Sequence, residues 1–194
     1  MLESPARAGE QVWVALRKSC VRSGSSDPRT IDDAHALHRR VLDVSPYFLT
    51  INPLDVDCLE VTYGFDFDAS ANHHAVALDA LFAHSPLAAA VDGLDARPID
   101  VQPCIGFALN DRCDLQAFFE VKGRTSVREV RQGRFSEDAL HVCVTVRKFG
   151  SLHDIKELPA LYDELAAHAE RLVEQRAVPH LLAPIRDAIA SSRA

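Results

Sequence analysis

Glu120-Val121-Lys122 closes the apolar run Leu115-Gln116-Ala117-Phe118-Phe119 and is followed by Gly123-Arg124-Thr125. Two residues apart on a strand, a carboxylate and an ammonium lie on one face. Some metal-dependent nucleases carry a Glu-x-Lys pair in such a setting. A divalent-metal-dependent hydrolase or nuclease using Glu120 and Lys122 is therefore one candidate. The same residues also fit a strand with a wet side, because Glu120, Lys122 and Arg124 alternate with Phe119 and Val121.

Four other groupings could do chemistry. Glu60, Asp66 and Asp68 share one side of a strand, with Asn72, His73 and His74 close behind, and carboxylates with imidazole can hold a divalent metal. Adjacent His73 and His74 would point about 100° apart on a helix, and Asp68 and Asn72 can equally serve its N-terminus. Asp32, His35 and His38 recur every three residues, a spacing that can ligate zinc from one helix face. His141 and Cys143 share a strand face with Thr145 and Arg147, and a cysteine beside a histidine can be an activated nucleophile. The two lie about 7 Å apart along a strand, and no third orienting residue can be named. Lys122, Arg124, Arg128, Arg131 and Arg134 form a basic cluster, joined by Arg147 and Lys148. Lys122, Arg124, Arg128, His141 and Arg147 are the candidate ligand-binding set, able to meet an anionic ligand or partner. The Lys and Arg residues of the basic cluster could also pair with the acidic residues Asp55, Asp57, Glu60, Asp66 and Asp68, at about 0.2–1 kcal/mol per cross-strand pair.

The Glu-x-Lys triplet resembles half of the pattern of the restriction-endonuclease-like family. There an Asp on the neighbouring hairpin strand shares the metal, and a helix follows the Glu-x-Lys strand. Here the preceding segment, Pro103-Cys104-Ile105-Gly106-Phe107-Ala108-Leu109, has no acid. The following segment, 126–135, reads as a polar edge strand.

The elements that would position these residues are clearest at Cys58–Asp68. Leu59, Val61, Tyr63, Phe65 and Phe67 point one way, and Glu60, Thr62, Asp66 and Asp68 the other, which predicts a half-buried strand. Further alternating segments lie over 99–109, 115–121, 126–135 and 140–146, with short connections that argue for antiparallel pairing. Thr30 predicts a helix N-cap, and Pro46 the end of that helix. Ser70 predicts a cap for a helix over 71–84, and Pro86 the start of a short helix stopped by Gly93. Leu158 to Gln175 carries an apolar stripe at helical spacing, and Pro179 and Pro184 punctuate a last helical segment. Gln11–Cys20 fits either a short helix or a strand.

This element order resembles that of helix-grip proteins of the START and Bet v 1 type, over roughly residues 55–176 and without a sequence motif. The resemblance implies a sheet curved around the C-terminal helix and a cavity for an apolar ligand.

The 194 residues, 47% hydrophobic and 25% charged, are ordinary for a globular domain and suffice for a core without disulfides or metals. The net charge of −7 opposes the phosphate backbone, so nucleic acid is an unlikely partner. No apolar run is long enough to span a membrane, and the N-terminus lacks the pattern of a secretory signal. Five scattered cysteines without a C-x-x-C pair point to a reducing cytoplasm.

The expectation is an α+β fold with one antiparallel sheet of about five strands packed on a long C-terminal helix. Residues 1–29 would be an N-terminal segment, and 30–194 a single α+β domain. No catalytic constellation is complete and no cofactor is called for. The expected function is a non-enzymatic domain that binds a small anionic or apolar ligand, or a protein partner, through its sheet, with a homodimer as one form. The alternative is the metal-dependent hydrolase of Glu120 and Lys122, with Glu60, Asp66 and Asp68 as an alternative metal set.

Overall fold

Alternation in Gln11–Arg17 and Cys20–Ser26, split by Lys18-Ser19, produces a hairpin in the computed structural model, which describes residues 2–4 and 10–192. These strands are β2 and β3, and the two-residue β1 (Leu2–Glu3) lies antiparallel on β2. Of the N-terminal segment 1–29, residues 1 and 5–9 lie outside the described residues.

The chain divides into two compact units, Met1–Leu59 with Phe149–Glu164, and Glu60–Lys148 with Leu165–Ala194. In the first, helix α1 (Ile31–Leu49) starts where predicted, Thr30 Oγ1 accepting the Asp33 N–H at 3.1 Å. Pro46 does not end it. Its missing N–H removes one helical donor, but its own carbonyl accepts the N–H groups of Thr50 and Ile51, and Thr50, at φ 55°, closes the helix instead.

The second unit is built on a four-stranded sheet in the order β4 (Cys58–Asp68), β7 (Ala139–Phe149), β6 (Leu115–Lys122), β5 (Cys104–Ala108). The fold is α+β with antiparallel sheets and a long C-terminal helical arm, but it has two separate sheets rather than one of five strands. One expected strand is missing for a local reason. Residues 127–132 form a helix, α4 (Val127–Gln132). The sequence Ser126-Val127-Arg128-Glu129 is a capping box whose two ends satisfy each other, and Gly133, at φ 64°, supplies the left-handed stop. These local bonds outweigh the alternation that suggested a strand. The strand expected from 99 begins only at Cys104, because the Val101 N–H is taken by His74 Nδ1 at 3.1 Å.

Helix α2 (His73–Phe82) is capped by Asn72 rather than Ser70, its side chain accepting from His74 N at 3.0 Å and Ala75 N at 3.4 Å. Helix α3 (Pro86–Val91) follows. The C-terminal arm runs as α5 (Leu158–Leu172), a π-helical stretch over Val173–Leu182, and α6 (Ala183–Ser192). Pro179 lies inside it rather than breaking it. In the wider register the Ala183 N–H bonds Val178 O five residues back, which accommodates a residue with no N–H to give. The core of this unit joins Val121, Leu140 and Val142 of the sheet to Val76 and Ala77 of α2 and to Ile185 and Ile189 of α6. Among the described residues, no helix is long and apolar enough to cross a membrane.

Candidate functional site

One face of the sheet feeds this core, and the other carries Glu60, Thr62, Asp66 and Asp68 of β4, Glu120 and Lys122 of β6, and His141, Cys143, Thr145 and Arg147 of β7. Its geometry follows from pairing register. On β6 and β7, Lys122 lies opposite His141, Glu120 opposite Cys143, Phe118 opposite Thr145 and Gln116 opposite Arg147. On β5 and β6, Cys104 lies opposite Glu120 and Gly106 opposite Phe118. Side-chain contacts place β4 against β7 in the opposite sense. Glu60 meets Arg147, Thr62 meets Thr145 at 3.0 Å and Asp66 meets His141.

The charges on this face are held in pairs. Lys122 Nζ is 2.7 Å from Glu120 Oε2, Arg147 Nη2 is 3.2 Å from Glu60 Oε2, and His141 Nδ1 is 2.6 Å from Asp66 Oδ1. The Glu120 carboxylate raises the Lys122 ammonium pKa further above its ordinary value. Arg147 also lies over the Phe118 ring, 4.2 Å from its centroid. Phe118 in turn covers Gly106, where a Cβ would run into the ring. A Cβ on Gly64 would likewise come within 2.9 Å of His141 Cε1. Two glycines thus leave room for two rings to lie flat on the sheet, which seals its centre while Glu60, Thr62, Asp66 and Lys122 stay exposed.

Cys143 sits beneath this layer at 8% exposure. Burial, the largest effect, raises its thiol pKa, with Glu120, Asp66 and Glu60 adding to the rise and Lys122 opposing it. The thiol is therefore protonated at neutral pH, which is the opposite of what an activated nucleophile needs. The Glu-x-Lys pair also lacks the acid that would share a metal, because Glu120 is flanked by Cys104 on one side and Cys143 on the other. A helix does follow that strand, as in the restriction-endonuclease-like pattern, but it is the short α4.

Of the candidate ligand-binding set, Lys122 and His141 lie opposite one another, and Arg147 lies on the same face six residues further along β7, opposite Gln116. Arg124 lies beyond the end of β6, its backbone N–H bonded to His73, and Arg128 lies on α4. Of the acidic set, Glu60 and Asp66 are spent on Arg147 and His141.

His73 and His74 are both buried and serve the backbone. His73 Nδ1 accepts from Arg124 N at 3.0 Å, and its Nε2 donates to Ala69 O at 3.1 Å. His74 Nδ1 accepts from Val101 N at 3.1 Å, and its Nε2 donates to Thr125 O at 3.0 Å. Each ring uses both nitrogens and is held as the Nε2–H tautomer. Together they tie three chain segments to the start of α2, and no nitrogen is left for a metal. In the first unit, His35 Nδ1 is 2.7 Å from the Tyr162 hydroxyl and His38 Nδ1 is 2.7 Å from Ser23 Oγ. Burial lowers the His38 pKa, and His35 lowers it further. Among the described residues, no group of three or more His, Cys, Asp or Glu side chains converges in a way that could hold a metal ion.

The Asp66–His141 pair was not foreseen, although both residues were singled out separately. The signal was present only in the register between β4 and β7, which adjacent sequence does not carry. Comparison with protein-family models, with curated proteins and with solved structures returned no match.

Proposed function

We propose that this protein is a non-enzymatic binding domain, and that the polar face of its four-stranded sheet receives a protein partner or a small polar ligand. The observation that carries this reading is the pairing of Lys122 with Glu120, Arg147 with Glu60 and His141 with Asp66 across an open surface. Paired charges of both signs, with Phe118 among them, suit recognition of a partner carrying its own mixed charges. They suit catalysis less, because each candidate acid or base already has a neighbour to satisfy it. Five scattered cysteines without a C-x-x-C pair fit a reducing compartment such as the cytoplasm.

A second reading is a hydrolase. Its favourable observation is the short Asp66–His141 contact, which can orient an imidazole as a general base. Its metal-dependent form would use Glu120 and Lys122. Melting the protein after EDTA treatment, then with magnesium, manganese or zinc restored, separates the two. An ion at a hundredfold saturation would add about 2.7 kcal/mol to the native state. The binding-domain reading expects identical melts throughout. A rise with one ion that disappears in Glu120→Ala would favour the hydrolase.

A further inference from the structure

The two edges of the four-stranded sheet are protected very differently. The β4 edge carries Glu60, Asp66 and Asp68, charges of the kind that keep one sheet edge from pairing with another. The β5 edge is Cys104-Ile105-Gly106-Phe107-Ala108, with no charge and no proline, and all five residues are exposed.

Its hydrogen-bonding phase is fixed. Leu109 N bonds Leu115 O at 2.8 Å and Val121 N bonds Pro103 O at 2.9 Å, so the odd-numbered residues face β6. The N–H and C=O groups of Cys104, Gly106 and Ala108 therefore point outward. These three have small side chains, which lets a second backbone approach. Ile105, 61% exposed, and Phe107, 38% exposed, lie on the apolar face of the same strand.

We propose that β5 pairs with β5 of a second copy of this chain, antiparallel about a two-fold axis at Gly106, joining two four-stranded sheets into one. The strand is self-complementary in this register. Cys104 falls opposite Ala108 of the other copy and Gly106 opposite Gly106, so the outward-pointing groups of both strands satisfy one another. Ile105 falls opposite Phe107, in the closely spaced non-hydrogen-bonded position, and their apolar surfaces cover each other on both sides of the axis. This pairing uses the sheet edge and does not depend on any role for the polar face.

The test is a cross-link set by the register. Opposite residues of a hydrogen-bonded pair have Cα atoms about 5.5 Å apart, within the span of a disulfide. Within one chain, positions 104 and 108 lie about 13 Å apart along the strand and cannot bridge. Ala108→Cys is made in a Cys20→Ser, Cys113→Ser background and oxidised mildly at tens of micromolar protein. The expected result is conversion of most of the chain to a reducible dimer of twice 21.3 kDa, abolished by adding Cys104→Ser. Ile105→Lys should weaken self-association of the otherwise unaltered chain at least tenfold in sedimentation equilibrium. The proposal is overturned if the Ala108→Cys chain stays monomeric although both thiols react freely with a thiol reagent. It is equally overturned if dimer forms as well without Cys104.

Discussion

Replacing His73 with alanine should unfold the start of α2 from its surroundings. The ring is 1% exposed, and its removal takes their partner from a partly buried backbone group, the Arg124 N–H it accepts at 3.0 Å, and a buried one, the Ala69 carbonyl it donates to at 3.1 Å. Each orphaned group costs about 1–3 kcal/mol, so the pair alone gives about 2–6 kcal/mol. The cavity adds to this, while water entering beside Gly123 subtracts from it. A loss of about 3–5 kcal/mol is expected. For a chain of this length, that corresponds to a fall in Tm of roughly 6–20 °C. The assay is equilibrium urea unfolding followed by circular dichroism, with His141→Ala as the comparison. His141 lies on the open face and its short contact is with exposed Asp66, so its loss should cost no more than about 1 kcal/mol. A His73→Ala cost below that of His141→Ala would refute the assignment of His73 as a backbone staple.

Two further predictions concern pH. Glu129 accepts hydrogen bonds from the N–H and hydroxyl groups of Ser126 and Ser136, which lower its pKa from 4.5 to about 2. Its stabilising contribution is complete above pH 4.5 and is lost as pH falls through about 2. Glu129→Gln should therefore be the less stable protein at pH 7, and its urea midpoint should converge with that of the parent towards pH 2. For His38, burial lowers the pKa from 6.5, so the folded protein binds its proton less readily than the unfolded chain does. The associated stability is complete above pH 6.5 and declines as pH drops below it, and His38→Gln should flatten this part of the curve in urea titrations. An unchanged slope in the variant would assign the decline to other groups.

Much of the fold was legible because its signals are local. The alternation of Cys58–Asp68 reappears as alternating exposure along β4, Thr30 caps α1, and the apolar stripe from Leu158 forms α5. The error at 126–135 came from weighing alternation above a capping box that was equally visible, Ser126-x-x-Glu129 followed by Gly133. Proline was overweighted at Pro46 and Pro179, where the chain re-routes one hydrogen bond and continues as helix. The site was less legible, because its defining contacts join distant residues. Asp66 and His141 are 75 positions apart, and Glu60 meets Arg147 only through the β4–β7 register. His73 and His74 carry metal-ligand chemistry in their side chains, yet segments about 50 residues away, at Arg124 and Thr125, occupy their nitrogens.

The most direct measurement of the polar face as a binding surface is a quantitative capture experiment from lysate of the source cells. It would use the parent chain, the face variants Lys122→Glu and Arg147→Glu, and Arg128→Glu on α4 as the control. The account predicts a partner or ligand retained by the parent and by Arg128→Glu, and lost at least tenfold from both face variants. Equal retention by all four proteins, or loss from Arg128→Glu alone, would contradict it.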